Sequence, residues 1–187
     1  MKIRLAVPHI QKDSIVDGEG IRGVIWTQGC PHHCLGCHNP ETHDMKGGIL
    51  VDVDDLKDEI DKLEGHDGIT FSGGDPMVQA DVCCELARYC HQKGFSVWCY
   101  TGYTFEELLK LSKAKKKILE FLKEIDVLID GKFILSEKSF DVIFRGSKNQ
   151  RIINVSKSLK TGKTVTFRKF DKKEKNNKGR RNHHMYV

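Results

Sequence analysis

The sequence predicts an α/β fold, a partial, open (βα) barrel with a parallel sheet and outer helices. Three observations carry this. Short apolar runs alternate with amphipathic stretches, the order that gives right-handed βαβ crossovers and parallel strands. The loops after these runs are polar or glycine-rich, as expected where strand C-termini gather a ligand site. The chain has 187 residues, and a closed eight-unit barrel takes about 250.

The elements follow in order. Gly23 to Gln28 (GVIWTQ) reads as a strand running into a cysteine-rich loop. Val53, Leu56, Ile60 and Leu63 are spaced 3-4-3, so Asp52 to Glu64 reads as a helix capped by Asp52. Ile69 to Ser72 is a short strand ending at Gly73-Gly74. Pro76 can open the next helix, with Val78, Val82, Leu86 and Tyr89 on its apolar face. Phe95, Val97 and Cys99 alternate as in a strand. Phe105 to Glu124 is helical, with a possible break at the lysine run 115–117. Val127 to Asp130 is a strand ending at Gly131, and Arg151 to Val155 is a further strand. Four loops then share one edge: the cysteine loop, Gly73-Gly74-Asp75, Tyr100-Thr101-Gly102 and Asp130-Gly131.

Composition narrows the class. Charged residues make up 30% and hydrophobic ones 39%, as in a globular protein. No run approaches the ~20 apolar residues of a membrane span. The N-terminal apolar stretch is too short for a secretory signal, so a cytoplasmic protein with reduced thiols is expected. The seven cysteines, at 30, 34, 37, 83, 84, 90 and 99, are odd in number, which disfavours a disulfide scaffold. From Lys160 to Val187 ten Lys/Arg face two Asp/Glu, so this segment holds +8 of a net +5 and the rest is acidic. Residues 1–159 are therefore read as one domain and 160–187 as a solvated, flexible basic tail. A nucleic-acid role for the tail is disfavoured by its lack of aromatic interleaving.

The cysteine loop carries the chemistry. Gln28-Gly29-Cys30-Pro31-His32-His33-Cys34-Leu35-Gly36-Cys37-His38-Asn39-Pro40 sets three thiols at C-x3-C-x2-C. A tight loop can point all three at one centre, and thiolates select zinc or iron–sulfur. A protein-held cluster usually takes four cysteines, so three leave one iron open to substrate. A closed Cys3His zinc site recruiting His32, His33 or His38 stands beside this reading. The other four cysteines, without compact spacing, read as buried small hydrophobes.

In this loop and in five further stretches the chain resembles the radical S-adenosylmethionine superfamily. Within it, the resemblance is to the activating enzymes of anaerobic, glycyl-radical ribonucleotide reductases. The stretches are Ser14 to Arg22, Gln28 to Thr42, Ser72-Gly73-Gly74-Asp75-Pro76, Tyr100-Thr101-Gly102-Tyr103, Asp126 to Phe133 and Arg145 to Arg151. They run in order over about residues 13–155.

The resemblance implies that Cys30, Cys34 and Cys37 hold a [4Fe–4S] cluster whose fourth iron takes S-adenosylmethionine. Reductive cleavage of that cofactor then gives a 5′-deoxyadenosyl radical, which makes a glycyl radical on the reductase. No catalytic residue beyond cluster and cofactor is implied. Gly73, Gly74 and Asp75 match the element that meets the methionine moiety, and Gly36, Cys37 and His38 the segment that meets the nucleoside. A low-potential flavodoxin or ferredoxin is implied as electron donor. In one departure, Gly36 stands where many relatives place an aromatic residue over the adenine, which leaves His38 as a candidate cover. In another, Gly18-Glu19-Gly20 replaces Gly-Pro-Gly. Tyr100, Thr101 and Asp130 read equally as a wall facing the partner and as turn chemistry. Activation of another glycyl-radical enzyme, small-molecule chemistry as in deazaguanine-forming relatives, and a zinc-stabilised nucleic-acid-binding module are the alternatives.

Overall fold

The computed structural model describes residues 1–170. Among these residues eight strands form one mixed, open sheet: β1 Lys2–Leu5, β2 Gln11–Ser14, β3 Arg22–Thr27, β4 Ile49–Asp52, β5 Gly68–Gly73, β6 Ser96–Tyr100, β7 Val127–Asp130 and β8 Arg151–Asn154. The order is β4-β1-β3-β5-β6-β7-β8, with β2 paired to β3. The central run β3-β5-β6-β7 is parallel. Among the described residues the α-helices are α1 Val53–Ile60, α2 Ala80–Gln92, α3 Phe105–Ser112, α4 Lys116–Lys123 and α5 Val155–Thr161.

Alternation along the strands sorts side chains onto two faces. Ile25, Ile69, Phe71, Val97, Cys99, Leu128 and Ile153 face the helices and join Leu56, Leu86, Leu108, Phe121 and Val155 in the main core. Phe71 and Phe121 meet edge to face at 5.5 Å, both fully buried. Truncating either costs about 3–5 kcal/mol. On the other face Trp98, Val127, Ile129 and Ile152 gather Phe170. Arg22 lies fully buried there, its guanidinium donating to Thr70 Oγ1 and to the carbonyls of Ile69 and Ser96, and resting 5.2 Å from the Trp98 ring. Burial pushes it down to about 10. Hydrogen bonds to neutral acceptors let this charge stay inside.

Several expectations need correction. The sheet is not wholly parallel: β1, β2, β4 and β8 pair antiparallel. Their connections contain no α-helical crossover, which parallel neighbours require. β1, β2 and β4, each four residues long, were not expected as strands at all. The first helix stops at Ile60, where Leu63 N–H donates back to Ile60 O in a tighter turn. Asp52 sits at its N-cap without a side-chain capping bond, 3.7 Å from the N-terminal ammonium. Pro76 opens a 3-10 turn, Pro76–Gln79, and α2 begins only at Ala80, so Val78 is exposed. The break expected in the helical stretch 105–124 is present, at 113–115 beside the lysine run, between α3 and α4.

Of the tail expected over 160–187, residues 160–170 are partly exposed but anchored to the sheet. Val165 O accepts from Asn154 N–H, and Phe170 is buried near Trp98, ring centroids 6.0 Å apart. The packed unit therefore runs past 159 to Phe170. The remainder of that expectation lies outside the described residues. No helix among the described residues is long and apolar enough to cross a membrane.

Candidate functional site

Parallel register brings the C-terminal ends of β3, β5 and β6 to one edge. Thr27 stands opposite Gly73, and Phe71 opposite Cys99. The cysteine loop leaves β3 here. Its base is closed by Gly29 N–H on Thr42 O (2.9 Å) and Cys30 N–H on His43 O (3.3 Å), while buried Gln28 donates to Asp44 O (2.8 Å). The turn back needs left-handed backbone at Gly29 (φ +96°), His33 (+47°) and Gly36 (+73°), which glycine supplies at two of the three. Cys37 N–H donates to Cys34 O, and Asn39 N–H to the Cys37 sulfur at 3.4 Å.

Cys30, Cys34 and Cys37 are half-buried and line one cavity of about 380 Å³, together with His38, Gly73, Gly74 and Tyr100. Burial pushes the Cys30 thiol up to about 11, opposed by the His32 N–H on its sulfur and reinforced by the Asp75 carboxylate and the other two thiols. A cation reverses this balance by stabilising the thiolates. The three thiols share a wall but do not converge. Among the described residues no three His, Cys, Asp or Glu side chains are drawn together as a metal site. Three soft donors on one open cavity nevertheless suit an iron–sulfur cluster with a free coordination position.

The Gly-Gly turn is glycine for a reason that the sequence did not show. A Cβ on Gly73 (φ +92°) would lie 2.6 Å from Thr27 O, and one on Gly74 2.5 Å from Gly29 O. Gly74 N–H donates to Thr27 O and Asp75 N–H to Gly29 O. The space that side chains would take is filled by the root of the cysteine loop, so the turn and the loop interlock backbone to backbone.

Asp75, expected at the cofactor, is turned inward and only 1% exposed. It accepts from Met77 N–H, Thr101 Oγ1, Gly102 N–H and His32 Nε2, the last at 2.6 Å. Gly36 is also off the cavity wall, and a Cβ on it would meet Leu135 at 2.9 Å. His38 does line the cavity, its ring 5.0 Å from that of Phe133. Tyr100 and Thr101 line it too, although the Tyr100 hydroxyl is committed to Phe144 O at 2.8 Å. Asp130 does not. It accepts from Phe105 N–H at the start of α3 and pairs with Arg151.

Sequence reasoning gave no separate role to Phe133, Gly146 or Gln150, which complete the cavity mouth. Gln150 pins it, accepting from Gly146 N–H (2.8 Å) and donating to Gly131 O (3.0 Å). The usable signal was their place in the Asp126–Phe133 and Arg145–Arg151 stretches. His32 was weighed only as a zinc ligand, and its Nε2 is taken by Asp75. The remaining cysteines are buried in the helix-side core, where burial pushes Cys90 up to about 12. Such thiols are inert.

Residues 16–153 match the family described as "4Fe-4S single cluster domain". Three similar curated proteins are each called anaerobic ribonucleoside-triphosphate reductase-activating protein. That of Haemophilus influenzae is 36% identical over 151 residues, 74% of this chain and 90% of its own. That of Enterobacteria phage T4 is 34% identical over 148 residues, 73% of this chain and 86% of its own. That of Escherichia coli K12 is 34% identical over 147 residues, 73% and 90%.

Proposed function

Because the chain belongs to the family of anaerobic ribonucleoside-triphosphate reductase-activating proteins, we propose that it activates that reductase by generating its glycyl radical. Cys30, Cys34 and Cys37 are the residues that would hold the [4Fe–4S] cluster, with S-adenosylmethionine beside it. The chemistry that the bound cluster would supply is one-electron reductive cleavage of S-adenosylmethionine, the source of the radical that would be passed to the reductase glycine.

The rest is done by this chain. The cysteine loop presents three soft donors to the cavity, and the Asn39 N–H supports the sulfur of Cys37. Gly73 and Gly74 line the neighbouring wall, where the cofactor's methionine end would lie. His38 and Phe133 stand together at the cavity and are suited to cover the adenine. The open sheet is read as a partial barrel of the radical S-adenosylmethionine type, its open mouth left for the partner. A low-potential flavodoxin or ferredoxin is the expected donor, and a reducing cytoplasm the expected setting.

The observation that carries this reading is the sharing of one cavity by three thiols and the Gly-Gly turn, at the ends of adjacent parallel strands. The test is anaerobic reconstitution with iron and sulfide, followed by metal and sulfide analysis and an assay for 5′-deoxyadenosine. A brown protein that cleaves S-adenosylmethionine under reduction is expected. A colourless protein that retains zinc overturns the reading.

A further inference from the structure

The contact between His32 and Asp75 is the least explained feature of the site. His32 lies between two of the three loop cysteines, yet its side chain is 5% exposed and Asp75's is 1% exposed. Its Nε2 is 2.6 Å from Asp75 Oδ2. Capping the 3-10 turn requires only the bond from Met77 N–H to Asp75 Oδ1. Thr101 and Gly102, after β6, bind the same carboxylate. A carboxylate has about four lone-pair sites, so with these donors Asp75 has no capacity left for a ligand.

We propose that His32 and Asp75 form a positioning latch that fixes the thiol-bearing loop against the Gly-Gly turn. This rests on reading Cys30, Cys34 and Cys37 as cluster ligands. His32 stands two residues after Cys30 in the loop, and its ring reaches the carboxylate that directly follows Gly74. The ring is held on its other sides. Tyr103 packs edge-on with centroids 4.4 Å apart, and a Cβ on Gly102 would lie 2.3 Å from the ring. One side chain thus joins the ends of β3, β5 and β6 around the cavity. Asp75 stays off the cavity, and His32, which lines it, has its ring nitrogen Nε2 committed to Asp75. The latch sets the distance between the wall that would carry the cluster and the wall that would carry the methionine group. S-adenosylmethionine would have to contact both at once, so its binding depends on that distance.

The test uses the full chain, reconstituted anaerobically, as wild type, His32→Ala and His32→Gln. Glutamine keeps an N–H donor able to reach Asp75. Four readouts are taken: iron and sulfide per chain, thermal midpoint, S-adenosylmethionine affinity by calorimetry, and the paramagnetic resonance spectrum of the reduced cluster with and without S-adenosylmethionine. His32→Ala is expected to keep its cluster, to lose part of its thermal midpoint because the buried Asp75 carboxylate loses a donor, to bind S-adenosylmethionine about tenfold more weakly, and to lose most of the spectral response to it. His32→Gln is expected to recover affinity and spectral response. Wild-type affinity and spectral response in His32→Ala overturn the latch. So does loss of the cluster in both variants, which would make His32 a ligand or a fold determinant. If His32→Ala does not fold, His32→Gln decides: wild-type behaviour supports the latch, and weakened binding with the cluster intact overturns the donor role. Failure of the wild type to take up iron and sulfide would instead reject the ligand reading.

Discussion

Gly74 lies against Gly29 so closely that a Cβ would come 2.5 Å from the Gly29 carbonyl oxygen. The Gly-Gly turn therefore positions the cysteine loop as well as lining the cavity. Gly74→Ala is expected to lower iron–sulfide uptake and S-adenosylmethionine binding together, because backbone cannot yield as a flexible side chain can. Iron and sulfide analysis beside calorimetry checks this. An intact cluster with binding lost would return the turn to a cofactor contact alone.

The two classes of cysteine should separate cleanly. Cys34→Ala is expected to abolish S-adenosylmethionine cleavage, since the cube cannot hold its geometry on two thiolates. Cys99→Ala, in the helix-side core, is expected to cost about 1–2 kcal/mol of stability and to keep full iron and sulfide. Denaturant titration and metal analysis on both variants read the two effects.

The contrast shows what the sequence made legible. The parallel strands, the cysteine loop and the Gly-Gly turn were readable because each joins a local pattern to a turn signal. β1 was missed although Ile3 and Leu5 are fully buried. Four residues give too short a period to stand out, and its partners β3 and β4 are distant in sequence. Asp75 was placed at the cofactor because a motif states order, not direction. Its inward turn depends on His32, Thr101 and Gly102, which only the fold brings near.

Acid stability should report the Arg151 network. The Arg151 guanidinium, helped by Thr164, holds the Glu106 carboxyl down to about 2 from an ordinary 4.5. A depressed carboxylate stabilises the fold above its unfolded pKa, and that contribution is lost as pH falls through the folded one. The wild type should therefore exceed Glu106→Gln in thermal midpoint at pH 6, with the gap closing between about pH 4.5 and 2. Glu106 is largely exposed, so screening keeps the gap small, on the order of 1 kcal/mol or less. A gap that is constant with pH would contradict this.

Truncations should divide at Phe170. Removing 171–187 is expected to leave cofactor cleavage intact, since no ligand motif lies there. Removing 160–187 also takes Phe167 and Phe170 from the Trp98 cluster and is expected to lower the thermal midpoint by at least several degrees. Equal midpoints for the two truncations would show that Phe170 contributes nothing to the sheet face.

The central claim is that the radical made at this cavity reaches a glycine of the anaerobic reductase. Electron paramagnetic resonance of the reconstituted protein mixed with that reductase, reductant and S-adenosylmethionine tests it most directly. A glycyl doublet that requires all four components is the expected result. No doublet on a competent reductase, while S-adenosylmethionine is still being cleaved, would contradict it.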